Sequence, residues 1–512
     1  MVEIEVGSLS LADIEKVVFG QTKVELSKKT IEVIQESHNF LSDFSKNKVI
    51  YGINTGFGPM AQYKIDEADQ KELQFNLIRS HCSGQGELID PASVKASMLA
   101  RLNTLSLGFS GVDKSAIDVL INLINHDVTP VIFKHGGVGA SGDLVQLAHL
   151  ALVMIGEGEV VYKGERQPTA DVFKKLDIKP MQITLREGLA VMNGTSVMTG
   201  IGIVNSLNAE RALSWSVAIS AMICEMVDSY DDYFSPQLNQ AKKHQGQQHV
   251  ASLMRGIMED SKYIRKREKQ LYDTLVEEEV IDNKVQEYYS LRCVPQIVGA
   301  IYETIKEAQK LLVEEVNSAN DNPIVDARNK NVYHGGNFHG DYVAFEMDKL
   351  KIAITKLSML AERQLNFLMN PHLNGILPPF ANLGKLGFNF GMQGVQFTAT
   401  STTAENQMLS NPMYIHSIPN NNDNQDIVSM GTNAASCAAR VIENTFEVLA
   451  IEVVSVVQAL DHLQKTDGLS SHSKEIYNKI REIVPVFSDD YPLYNKIKEV
   501  KFYMMKNSLL NV

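Results

Sequence analysis

Apolar positions along this chain recur mostly at helical spacing, and the helices they predict carry too little polar face to stand alone in water. The run LVQLAHLALVMI after Asp143 is interrupted only by Gln146 and His149. A helix over 143–155 is therefore apolar nearly all round and must be enclosed by protein. Ala212 to Cys224 (ALSWSVAISAMIC) holds no charge, and its Ala and Ser residues permit close helix approach. Val441 to Leu460 carries Glu443, Glu447 and Glu452 as its charges, spaced to fall near one stripe. A further helix is predicted from Ala92 (ASVKASMLARLNTLSLG). Helices this poor in polar surface predict a bundle core, or one shared between subunits. Strand signals are few: VVY at 160–162 and VIF at 131–133. The expected class is mainly α, a long-helix bundle over 206–512 with a mixed N-terminal domain over 1–205.

Composition narrows the function classes. The 512 residues are 44% hydrophobic and 21% charged, which excludes a disordered chain. With 48 Lys+Arg against 61 Asp+Glu the net charge is −13, so general nucleic-acid binding is not expected. The basic run Lys262, Arg265, Lys266, Arg267 and Lys269, interrupted by Glu268, reads as a solvated helix face. No window approaches the roughly 20 uncharged apolar residues of a membrane span. The start, MVEIEVGSLSLADIEKVVFG, lacks the basic and apolar regions of a signal peptide. Cys82, Cys224, Cys293 and Cys437 are scattered, with no Cys-x-x-Cys pair. That pattern predicts a reducing, cytoplasmic setting and no structural zinc.

The chemistry concentrates in His135-Gly-Gly-Val-Gly-Ala-Ser-Gly-Asp143. Gly137, Gly139 and Gly142 satisfy the Gly-x-Gly-x-x-Gly spacing of a dinucleotide loop. That reading also needs a strand before, a helix after and an acid at the end of the next strand. Pro130 crowds the candidate strand, and Glu157 and Glu159 precede VVY instead of following it. No Lys-Ser/Thr follows the glycines, so a Walker-type loop fails as well. No nucleotide is expected. The alternative is backbone chemistry. In Ala140-Ser141-Gly142 the Gly142 amide nitrogen can attack the Ala140 carbonyl carbon and close a five-membered ring. Loss of water from that adduct and from Ser141 leaves methylidene-imidazolone (MIO), an electrophile made from the chain itself. Small residues are required because the chain folds back on itself into a strained conformation, and Asp143 can assist the proton transfers.

This segment does not stand alone. Together with YGINTGFG at 51–58, NGTSVMTG at 193–200, YSLRCVPQ at 289–296, NDNPI at 320–324 and GGNFHG at 335–340, it resembles the aromatic amino acid ammonia-lyase family. The motifs run in the family's order from about residue 15 to 465. The resemblance implies a mainly helical homotetramer whose active sites each take residues from three subunits. It also implies MIO formed from Ala140, Ser141 and Gly142, with no metal. His334 and His339 have a spacing that suits no helical face and no adjacent acid, so they do not read as metal ligands.

By the same resemblance Tyr51 is the base that removes the β-hydrogen. A free tyrosine has a pKa of about 10, so this role needs a positive or hydrogen-bonding environment. Arg292 clamps the substrate carboxylate in the bidentate way guanidinium allows, and Asn322 is its second contact. Tyr289, Asn193 and Gln286 lie around the electrophile, and Phe338 packs beside the ring. For the substrate side chain two positions disagree. Ser80-His81 matches the pair typical of histidine lyases, though a histidine there can also donate to a phenolic oxygen. Gln425, in NNNDNQDIVSMG, stands opposite, where histidine lyases carry a glutamate that would pair with an imidazole. VQEYYSLR departs too, since Asp-Pro usually replaces Glu287-Tyr288 there. Phenylalanine would strand the polar His81, at a cost of about 1–3 kcal/mol. The expected substrate is tyrosine, giving trans-4-coumarate and ammonia. Histidine, giving urocanate, and a tyrosine 2,3-aminomutase outcome are the alternatives.

Overall fold

Helices dominate the computed structural model, which describes residues 1–273, 279–281 and 284–510. The chain divides into two compact units: residues 1–205, 308–348 and 412–438 form the first, and 206–307, 349–411 and 439–512 the second. The helix expected over 143–155 spans Leu144–Met154. Ala212–Cys224 lies inside Ser196–Met226, and Val441–Leu460 inside Gly431–Leu463. The helix expected from Ala92 runs Pro91–Ser106. Asp90 accepts from Ser93 N at 2.9 Å and Pro91 takes the first turn, a strong start signal. Every residue from Ser93 to Ser106 is buried, Lys95, Arg101 and Asn103 included.

Among the described residues the strands all fall in the first unit, in four small sheets. VVY belongs to the strand Glu159–Tyr162, but VIF is not one strand. Thr129–Pro130 pairs with Glu159–Tyr162, whereas Phe133–His135 pairs antiparallel with Gln85–Leu88. The chain changes sheets at Val131 and Ile132, beside a proline that has no N–H to give a ladder. The strand before the glycine loop is thus in an antiparallel pair, not the parallel crossover a dinucleotide fold needs.

Three helices of the first unit pack together and set the site: Gln70–His81, Leu144–Met154 and Glu187–Met192. The first ends on His81, the second follows the Ala-Ser-Gly triplet, and the third leads into Asn193. Gln74 is fully buried and ties two segments to this core. Its Oε1 accepts from Leu189 N at 2.9 Å, and its Nε2 donates to Gly52 O at 3.0 Å, beside Tyr51.

In the second unit Trp215 is fully buried and donates to the Met504 and Asn507 carbonyls at 3.2 and 2.8 Å. In the basic run Lys262, Lys266 and Lys269 are exposed, but Arg265 and Arg267 are turned inward. Arg265 and Arg267 stack on Tyr230, at 4.9 and 4.3 Å from its ring centre, and Arg267 pairs with Asp232 at 2.5 Å. Aromatic faces and acids draw these cations inward. The acids of the Gly431–Leu463 helix do not share one stripe either. Glu443 and Glu447 both face Lys501, at 3.0 and 3.9 Å. Glu452, five residues beyond Glu447, is turned about 140° away. It is fully buried, neither carboxylate oxygen has a hydrogen-bond partner, and burial raises its pKa well above the usual range. Glu452→Leu is therefore expected to stabilise the fold by about 1–3 kcal/mol in denaturant titrations at neutral pH. A loss of stability would show that the carboxyl has a favourable role.

Candidate active site

The triplet sits in a loop stitched to its surroundings through backbone. Val138 O accepts from Met430 N, and Gly139 O accepts from both Gly340 N and Ser429 Oγ, all at 3.0 Å. Ala140 and Gly142 are buried and Ser141 is half-buried. Gly142 has φ +71, and a Cβ there would lie 2.0 Å from Gly194 O, so glycine alone fits. Asp143 N donates to Gly194 O at 2.8 Å, which lays 142–143 alongside Gly194.

Two amides reach Ser141. Asn193 Nδ2 donates to its carbonyl at 3.1 Å, and Gln425 Nε2 to its hydroxyl at 2.7 Å. Asn193 Oδ1 is buried with no hydrogen-bond partner, an acceptor aimed at nothing in the unmodified chain. In the unmodified chain the Gln425 amide thus reaches the hydroxyl of the triplet.

Asp143 is fully buried at the start of the Ser196–Met226 helix. Its Oδ2 accepts from Val197 N and Met198 N at 2.8 and 2.9 Å, and its Oδ1 from the Thr432 hydroxyl. Burial pushes its pKa up to about 6, against those three donors and the nearby Arg101 charge. A carboxyl whose folded pKa is raised holds its proton more tightly in the folded state than in the unfolded one. The folded state therefore loses stability as pH rises from about 4, the unfolded value, to about 6. We expect the stability difference between wild type and Asp143→Asn to shrink across that window, by up to about 3 kcal/mol. A difference that is flat from pH 4 to 6 would contradict the shift.

Tyr51 is half-buried, edge-on to Phe57, and its phenolic oxygen accepts from Gly58 N at 3.1 Å. This supplies one of the donors that the sequence argument asked for. His81 Nδ1 lies 2.9 Å from Leu77 O and 3.1 Å from Ser80 Oγ. A carbonyl can only accept, so Nδ1 is the nitrogen that donates here, and Nε2 takes no part in these contacts. Asn322 Oδ1 accepts from Gly335 N at 2.9 Å, and Phe338 is half-buried. His339 does have an acid beside it, contrary to expectation: Asp341 lies 2.8 Å from Nδ1. No group of three or more metal-ligating side chains occurs among the described residues.

Gln286, Tyr289 and Arg292 belong to the second unit. Gln286 and Tyr289 are exposed, Tyr289 to 70%. The Arg292 guanidinium stacks over the Tyr289 ring at 4.7 Å and its Nε donates to Glu287 O at 3.0 Å. The fork of terminal nitrogens is the part suited to a carboxylate. Sequence reasoning missed Arg101, Asn320 and Thr432, which hold the loop from behind. The available signal was an arginine inside the apolar stretch MLARLN, since an unpaired charge is rarely buried without a purpose.

Residues 9–482 match the family described as aromatic amino acid lyase. The chain is 37% identical to histidine ammonia-lyase of Bacillus velezensis, covering 100% of this chain and 97% of the relative. It is 38% identical to tyrosine 2,3-aminomutase of a Myxococcus species, over 96% and 95%. Tyrosine aminomutase of Streptomyces globisporus superposes with a TM-score of 0.93 at 35% identity, over 99% and 97% of the chains. Phenylalanine aminomutase of Pantoea agglomerans does so with 0.95 at 32%, over 99% and 100%. The chain belongs to the aromatic amino acid lyase family. It is an enzyme of the carbon–nitrogen lyase class, built on the mainly helical fold of these relatives.

Proposed function

We propose that this protein is a tyrosine ammonia-lyase that eliminates ammonia from L-tyrosine to give trans-4-coumarate. The observation that carries the choice of substrate is His81, its Nδ1 held by Leu77 O, together with an uncharged Gln425. His81 Nε2 can accept the phenolic O–H of tyrosine, whereas phenylalanine has no group to offer it. Gln425 provides no carboxylate for an imidazole ring.

The residues around Ala140-Ser141-Gly142 fit a methylidene-imidazolone. They are small where the ring must close, and Asn193 Oδ1 is a buried acceptor with no partner before closure. Gln425 Nε2 points at the oxygen that Ser141 must lose. Once formed, such a group supplies an electron-poor carbon that turns the substrate amine into a leaving group. The chain's own residues do the rest. Arg292 binds the substrate carboxylate with Asn322 as the second contact, and Phe338 packs against the ring region. Tyr51 Oη takes the β-hydrogen as a proton. Gln286 and Tyr289 complete the surroundings. Their exposure on the second unit supports a homotetramer in which neighbouring subunits lend residues to each site.

The similarity to histidine ammonia-lyases favours histidine as a second reading, and the aminomutase relatives favour return of ammonia to the β-carbon. The deciding assay supplies tyrosine, histidine and phenylalanine separately and identifies the products. We expect 4-coumarate from tyrosine with the highest kcat/KM. Urocanate as the dominant product, or β-tyrosine in place of coumarate, overturns the substrate or the outcome respectively.

A further inference from the structure

Behind the triplet lies a buried charge that none of the roles above uses. Arg101 is fully buried in the Pro91–Ser106 helix, and burial lowers its pKa to about 10. Its Nη1 donates to Asn193 O at 2.8 Å and its Nη2 to Asn320 Oδ1 at 2.9 Å. Both acceptors are neutral. Nearby Arg186 is buried as well, but it is paired bidentately with Asp321 at 2.9 and 3.0 Å. The carboxylates of Asp321 and Asp143 lie near enough to favour its charge, but burial outweighs them and both terminal nitrogens are spent on neutral oxygens.

What Arg101 holds is the turn at 193–194. Gly194 O receives Asp143 N and sits where a Cβ of Gly142 would be. Asn193 Nδ2 reaches Ser141 O from the same turn. A Cβ on Gly194 would lie 2.6 Å from Arg101 Nη1, so guanidinium and turn are in direct contact. The other anchor is fixed in its turn: Asn320 Nδ2 lies 3.5 Å from Glu315 Oε1, which also accepts from the Thr195 hydroxyl. That contact directs Asn320 Oδ1 toward Arg101.

We propose that Arg101, anchored by Asn320, is a positioning residue for self-cyclisation, pressing the Asn193–Gly194 turn against Ser141 and Gly142. In that reaction a bond forms from Gly142 N to the Ala140 carbonyl carbon. The first water takes the Ala140 oxygen with the Gly142 and Ser141 amide protons; the second takes the Ser141 hydroxyl with that residue's α-proton. Arg101 touches none of these atoms. Its contribution is geometric, since displacements of about 1 Å can slow a reaction by 10²-fold.

The inference rests on the methylidene-imidazolone reading, and one experiment separates the two. Intact mass and thermal melting are followed over time in freshly translated wild type, Arg101→Met, Arg101→Lys and Asn320→Ala. We expect wild type to lose two waters. Arg101→Met and Asn320→Ala should fold yet show a dehydrated fraction at least about tenfold smaller at early times. Arg101→Lys, which keeps the charge but cannot span both acceptors, should fall between. If Arg101→Met does not fold, Asn320→Ala and Arg101→Lys decide. A folded variant that dehydrates as fast as wild type overturns the role of Arg101. A wild type that never loses water overturns the underlying reading instead.

Discussion

Ser141→Ala is expected to fold with wild-type thermal stability and to lose activity on every aromatic amino acid by a factor on the order of 10³ or more. Groups that act as one catalytic unit lose nearly everything when a member is removed, and Ser141 is the source of the electrophilic carbon. The surroundings should tolerate the change. Alanine fits where serine stood, the Ser141 carbonyl still accepts from Asn193 Nδ2, and only the Gln425 contact to the hydroxyl is lost. Steady-state kinetics beside a melting curve provide the check. Activity within tenfold of wild type would mean that catalysis does not run through this triplet.

The second large effect is expected at Tyr51. Tyr51→Phe removes the oxygen that receives Gly58 N and, in this account, the β-proton. Loss of a positioned general base typically costs 10²–10⁴-fold, so kcat should fall by about that much while KM changes little. The variant should still dehydrate fully by mass, because the Tyr51 oxygen contacts Gly58 N and no residue of the triplet. This distinguishes it from Ser141→Ala. A kcat within tenfold of wild type would assign proton removal to another residue.

Much of this was legible before any coordinates, and the reasons are physical. The segments 143–155, 212–224 and 441–460 are too apolar to be anything other than enclosed helices. The proposed chemistry of the Ala-Ser-Gly triplet was suggested by its residue types, because cyclisation needs small residues beside a serine. What escaped were contacts between residues distant in sequence. Gln425 lies against Ser141, 284 positions away, and periodicity cannot show that. Arg101 reads as an ordinary helix arginine until Asn193 and Asn320 are seen at its two terminal nitrogens. Local spacing misled in three places. Glu452 falls off the stripe of Glu443 and Glu447, VIF is split between two sheets, and Arg265 and Arg267 of the basic run are folded onto Tyr230. The partner of His81 Nδ1 was also beyond reach, since it is a carbonyl four residues back on its own helix.

The measurement that bears most directly on the account is the intact mass of the denatured wild-type chain. We predict a shortfall of two waters from the encoded formula, confined by peptide mapping to the fragment containing Ala140, Ser141 and Gly142. A mass equal to the encoded formula would contradict it.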